Sequence, residues 1–149
     1  MSALIDAWQR ALAEEQQAAF GYPLAGAHLD AGTGSELART CQGAHEALRD
    51  GTSTAITAVG GVPSPPPADY PSLYPVHDAR SAQRLAIRLE QDAASAWRYL
   101  FSVAAETPAT HSAEARAAAQ DALTASAVRA TQWRLLVNPA AATVAFPGI

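Results

Sequence analysis

The chain has 149 residues and a net charge of −4, its 10 basic residues all arginine and nowhere in a run, which excludes nucleic-acid binding by phosphate neutralisation. Hydrophobic residues make up 49%, about a quarter of the chain is alanine, and no apolar run approaches membrane-spanning length, so an all-α class with closely approaching helices is expected. The single cysteine, Cys41, excludes an intrachain disulfide and a cysteine-based metal site.

The segment Met1 to Arg10 lacks the basic-then-apolar layout of a signal peptide, and a cytoplasmic location is expected. The first predicted helix runs from Ser2, its N-cap, to Leu29, with a kink at Pro23, whose ring removes a backbone donor. Asp30 to Gly34 forms a short turn. The second helix runs from Ser35, a capping hydroxyl, to Val59, and Gly60-Gly61 stops it. The connection 60–77 is rich in proline. The third helix runs from Asp78, an N-cap, to Glu106, with Pro108 just beyond. The fourth runs from Ser112 to Val137, and Asn138-Pro139 ends it. The apolar tail 140–149 is expected to bury Val144, Phe146 and Ile149 against its own bundle or a second copy, because little holds an apolar segment in water.

The connections carry the topology. Short turns make helices 1 and 2, and helices 3 and 4, antiparallel neighbours. A helix the length of the second spans about 35–40 Å, and a polyproline-like 60–77 segment reaches about 50 Å, enough to cross the bundle end to end. Two antiparallel hairpins joined by one long crossover are expected, in one domain over 1–149. Tyr70, Leu73, Tyr74 and Val76 offer side chains that can hold the crossover to the bundle; the alternative is a disordered linker.

Helical periodicity places polar groups among the apolar ones. On helix 1, Leu4, Trp8, Leu12, Ala19 and Tyr22 share an arc with Glu15 in its middle, while Glu14 points away. On helix 3, Glu90 lies within the arc of Leu89, Ala93, Trp97, Leu100 and Phe101, with Asp92 at its rim. On helix 2, His45 borders the stripe of Leu37, Cys41, Ala44, Leu48, Ala55 and Val59, with Arg49 one turn on. Arg129 is the matching candidate on helix 4. Buried carboxylates must be neutralised or paired. The expected core polar cluster is therefore Glu15, His45, Arg49, Glu90 and Arg129. Two readings follow: a structural network fixing helix register, or a metal site in which Glu15, His45 and Glu90 are the ligands. His28, His77 and His111 are expected in solvent.

Ala13 to Tyr22, His45 to Asp50, Arg88 to Asp92, Ala127 to Arg134 and Ala145 to Ile149 together resemble an actinobacterial ferritin-like domain family of unknown function, in motifs that span nearly the whole chain. The resemblance implies a ferritin-like four-helix bundle. In the wider superfamily, di-iron proteins draw one Glu from each of two helices and a Glu-x-x-His from each of the other two. Glu15 and Glu90 match the single Glu positions, and His45 matches one ligand His. The position three before His45 is Gln42, however, and helix 4 has no Glu-x-x-His. The resemblance thus implies a degenerate ligand set and a non-catalytic domain without cofactor, acting through protein contacts and forming a homodimer. The alternatives are an iron-dependent oxidase or hydroxylase built on those three ligands, and a binder of small apolar ligands in a cavity near Trp8, Trp97, Trp133 and Phe101.

Overall fold

The structure is a computed structural model that describes residues 2–149; Met1, where the expected domain begins, lies outside the described residues. It has four α-helices: α1 (Ala3–Gly26), α2 (Ser35–Ala58), α3 (Ala79–Glu106) and α4 (Ser112–Val137). Single 3₁₀ turns occur at Pro71–Leu73 and Pro139–Ala141, and the described residues contain no strand. The helices pack on one another as a four-helix bundle.

Capping explains most boundaries. Ser2 accepts the amide of Ile5 at 3.3 Å and opens α1. Asp78 and Ser81 form a reciprocal capping box at the start of α3. Two expected caps are corrected. Gly34, not Ser35, precedes α2, with φ at 111°, and a Cβ there would lie 2.7 Å from the Trp133 ring. Glycine is needed at this position for both conformation and space. His111, not Ser112, precedes α4, and the Ser112 hydroxyl instead donates to the Thr107 carbonyl at 2.6 Å. Helix α1 continues past Pro23 but ends at Gly26, short of Leu29. Pro23 removes the bond its N–H would make to the Ala19 carbonyl, and the helix stops within a turn of it.

Contacts at two levels fix the helix directions. Glu15 and Tyr22 of α1 meet Trp97 and Glu90 of α3, so these helices are antiparallel. Glu15 meets His45, while Gly61, just past α2, lies against Ile5, so α1 and α2 are antiparallel as well. Consequently α2 and α3 run in the same direction, which requires a connection that crosses the bundle end to end. Segment 60–77 makes that crossing. Gln9 donates to the Val62 carbonyl at 2.6 Å and accepts the Ser64 amide at 3.0 Å; Gln16 donates to the Ser64 carbonyl at 2.8 Å. Leu73 is buried, whereas Tyr74, expected to pack, is exposed. The disordered alternative fails because the crossover is held by these side chains.

The interior has two apolar clusters. One gathers Trp8, Leu12, Ile56, Trp97 and Leu100; the other gathers Tyr22, Cys41, Leu73, Leu89 and Trp133. Alanines line both, which lets the helices approach. The tail does not bury its large side chains against its own bundle, which corrects that half of the expectation: Phe146 is 73% exposed and Ile149 83% exposed, and Val144 is also exposed. The backbone is the part that docks. A Cβ on Gly148 would lie 2.8 Å from the Ala94 carbonyl, so the chain presses against α3 while the large side chains point outward.

Candidate functional site

Between the two apolar clusters lies a polar layer to which each helix contributes. Glu15 and Tyr22 come from α1, His45 from α2, Glu90 and Trp97 from α3, and Ser126, Arg129 and Trp133 from α4. Glu15, His45 and Glu90 are each fully buried. His45 bridges the two carboxylates: Nδ1 is 2.5 Å from Glu15 Oε2, and Nε2 is 2.9 Å from Glu90 Oε1. Arg129 Nε donates to both Glu90 oxygens, at 3.0 and 3.1 Å, and its Nη2 donates to Ser126 Oγ at 3.2 Å. Trp97 Nε1 donates to Glu15 Oε1 at 2.6 Å, and Tyr22 OH donates to Glu90 Oε1 at 2.6 Å. Trp133 Nε1 in turn donates to Tyr22 OH at 3.1 Å.

This arrangement fixes the protonation of His45. A neutral imidazole has one N–H, yet both ring nitrogens face carboxylate oxygens, so only the imidazolium donates to both. Burial alone would lower its pKa. The hydrogen bonds and charges of Glu15 and Glu90 outweigh burial and raise it to about 9. Burial likewise disfavours the charged form of Glu90, but His45 and then Arg129 overcome it and hold the carboxyl below its ordinary range. Two carboxylates and two cations, His45 and Arg129, make the layer electrically neutral. Tyr22 remains a phenol, its pKa pushed up by burial and by Glu90. Burial, then Glu90, pushes the Cys41 thiol up to about 11, so it is not a reactive thiolate at neutral pH.

The structure thus brings together Glu15, His45, Glu90 and Arg129, but not Arg49. The Arg49 side chain is 38% exposed and pairs with Asp50 at 2.8 Å. It lies one turn beyond His45 on the flank of α2, where solvent and a neighbouring carboxylate are closer than the core. His45 itself stands in the centre of the buried α2 stripe, with Cys41, Thr52 and Ile56. Phe101, expected on the inward arc of α3, is exposed. His28, His77 and His111 are exposed. Sequence reasoning missed the donors Tyr22, Trp97 and Trp133, whose apolar bodies were legible in the pattern while their polar tips were not. The available signal was that buried Tyr and Trp need partners for O–H and N–H.

A four-helix bundle cross-braced by a neutral, buried layer of ion pairs defines the class of this protein. The chain belongs to the family described as Domain of unknown function (DUF4439), which its residues 7–149 match. It is also similar to a solved crystal structure, that of a conserved hypothetical protein, rv2844, from Mycobacterium tuberculosis. That likeness has 34% sequence identity, covers 98% of each chain and has a TM-score of 0.82. The comparison with curated proteins found no match. Among the described residues, no helix is long and apolar enough to cross a membrane.

Proposed function

We propose that this is a cytoplasmic, non-catalytic, ferritin-like helical domain that acts through protein contacts, and that its polar layer stands where ferritin-like relatives hold metal. One observation carries this reading: the acceptors of Glu15 and Glu90 are engaged by His45, Trp97, Tyr22 and Arg129, leaving no convergent open position. The residues do not fit iron. Both nitrogens of the candidate ligand His45 are directed at carboxylates, and a guanidinium lies on Glu90, where it repels any cation. Among the described residues, no group of three or more His, Cys, Asp or Glu is arranged to hold a metal ion. The two protein cations supply the charge that metal would otherwise supply.

The contact surface in this reading is the outer face of α4 with the tail. Val128, Leu135, Val144, Phe146 and Ile149 are exposed there. A soluble chain rarely leaves so many large apolar side chains uncovered, and a two-fold pairing of this face with a second copy covers them. Metal analysis of protein produced with supplied iron tests the non-metal part. Sub-stoichiometric iron is expected; a full di-iron complement overturns it.

A further inference from the structure

Between the outer face of α4 and the tail lies an open hollow. Its walls are Leu123, Ala127, Val128 and Thr131 of α4 and Val144 and Pro147 of the tail, and none of its described lining residues is charged. Phe146 stands between Val144 and Pro147 in the chain, yet it does not line the hollow and points into solvent. The backbone fixes that direction. Pro147 restricts the conformation of the residue before it. Gly148, at φ 84°, comes so close to α3 that a Cβ would lie 2.8 Å from the Ala94 carbonyl. The Phe146 ring is therefore a knob held out on a docked backbone, and little ordering remains to be done when it meets a partner.

Area and symmetry select the occupant of the hollow. Val128, Leu135, Val144, Phe146 and Ile149 are 48–83% exposed. At about 150–200 Å² for a large apolar side chain, they offer about 500 Å² per chain. A standard interface takes about 800 Å² from each partner, of which about 450 Å² is apolar, so this face is sufficient for a stable pairing. A knob and a hollow on one face are self-complementary. A two-fold axis between them carries each knob to the hollow of the other copy. An unrelated partner would have to bring a complement to each, whereas a second copy brings both.

We infer that Phe146 of each chain inserts into the α4–tail hollow of a second copy, against Val128, Thr131 and Val144. This contact deepens the self-pairing proposed above and depends on it: the pairing can exist without the insertion, but not the reverse.

The test has two arms on the full-length chain. In the first, Phe146→p-benzoylphenylalanine is irradiated in an equal mixture of unlabelled and nitrogen-15-labelled chains, and the cross-linked peptides are mapped by mass spectrometry. Cross-links between an unlabelled and a labelled chain, ending within residues 123–132, are expected. In the second, sedimentation measures the dimer dissociation constant. Phe146→Ala should weaken pairing at least about 30-fold, the effect of losing an aromatic anchor at an interface. Thr131→Trp, which fills the hollow, should weaken it as much while helical circular dichroism is retained; Thr124→Trp replaces it if that variant misfolds. Combining Phe146→Ala with the filled hollow should add little, because both changes remove one contact. A chain that stays monomeric overturns the self-pairing and the insertion together. A dimer whose cross-links fall within one chain or outside residues 123–132, or whose affinity is unchanged by Phe146→Ala, leaves the pairing standing and overturns the insertion alone.

Discussion

Replacing Glu90 with alanine removes the side chain on which the polar layer converges. Its carboxylate accepts from His45, Tyr22 and Arg129, at 2.9, 2.6 and 3.0 Å. Glu90→Ala leaves a buried imidazolium and a guanidinium that is only 12% exposed facing each other across the vacated site. Removing one partner of a buried ion pair costs about 3–5 kcal/mol, because the remaining charge is left desolvated and unpaired. Native domains of this size are stable by about 5–15 kcal/mol, so the change removes about a fifth of the total or more. The corresponding fall in melting temperature is about 10–15 °C. The matched control is Glu14→Ala. Glu14 is half-buried on the neighbouring face, and its carboxyl pKa is raised by burial and by the charge of Asp92. Its loss removes a repulsion as well as a hydrogen bond from Gln17, so a change within about 0.5 kcal/mol is expected. Urea unfolding followed by circular dichroism measures both, read as midpoint shifts at constant slope. Equal, small shifts in the two variants would refute the view that the buried layer braces the bundle.

Three further outcomes follow from the same geometry. The pKa of His45 rises on folding from 6.5 to about 9, so its contribution, on the order of 3 kcal/mol, is fully present below about pH 6.5 and is lost as pH rises through about 9. The lowered pKa of Glu90 makes its contribution present above its ordinary value of 4.5 and lost as pH falls through the folded value. Urea midpoints across pH should therefore be highest between these limits, and His45→Gln should flatten the alkaline fall; an unchanged alkaline limb in that variant contradicts the assignment. Gly34→Ala forces a side chain into φ 111° and into the Trp133 ring, and should cost about 2–4 kcal/mol by thermal unfolding, whereas a neutral change would mean the turn relaxes freely. Deleting Val144 to Ile149 removes side chains that are exposed in the single chain, so the melting point should fall little while sedimentation shifts from dimer to monomer; an unchanged mass would remove the tail from any self-association.

Helix number, the crossover and most of the polar layer were legible in the sequence because they rest on strong local signals. Proline density and the segment's length marked 60–77, and the 3.6-residue period placed Glu15 and Glu90 inside apolar arcs. His45 was read at the edge of its stripe because α2 has a broad buried face, with Thr52 and Ile56 as well as Cys41, and period alone did not centre it. Arg49 was drawn into the cluster as an available cation one turn from His45, but side-chain reach and the adjacent Asp50 decide its position, and a helical wheel contains neither. Ser35 and Ser112 looked like caps by residue type. At α2 the steric demand of Trp133, distant in sequence, selected Gly34 instead. The tail misled for a related reason. Its composition is apolar, yet the close approach of Gly148 to α3 determines which way the side chains face, and backbone approach is invisible to composition. The hollow between α4 and the tail was not localised, since it depends on that same approach.

The state of His45 tests the polar layer most directly. Nitrogen-15 NMR of histidine-labelled protein reports each ring nitrogen separately. Both Nδ1 and Nε2 of His45 should carry protons at neutral pH, each donating to its carboxylate, and the ring should stay doubly protonated until pH approaches about 9. A His45 ring with one protonated nitrogen at pH 7 would contradict the neutral ion-paired layer at the centre of this fold.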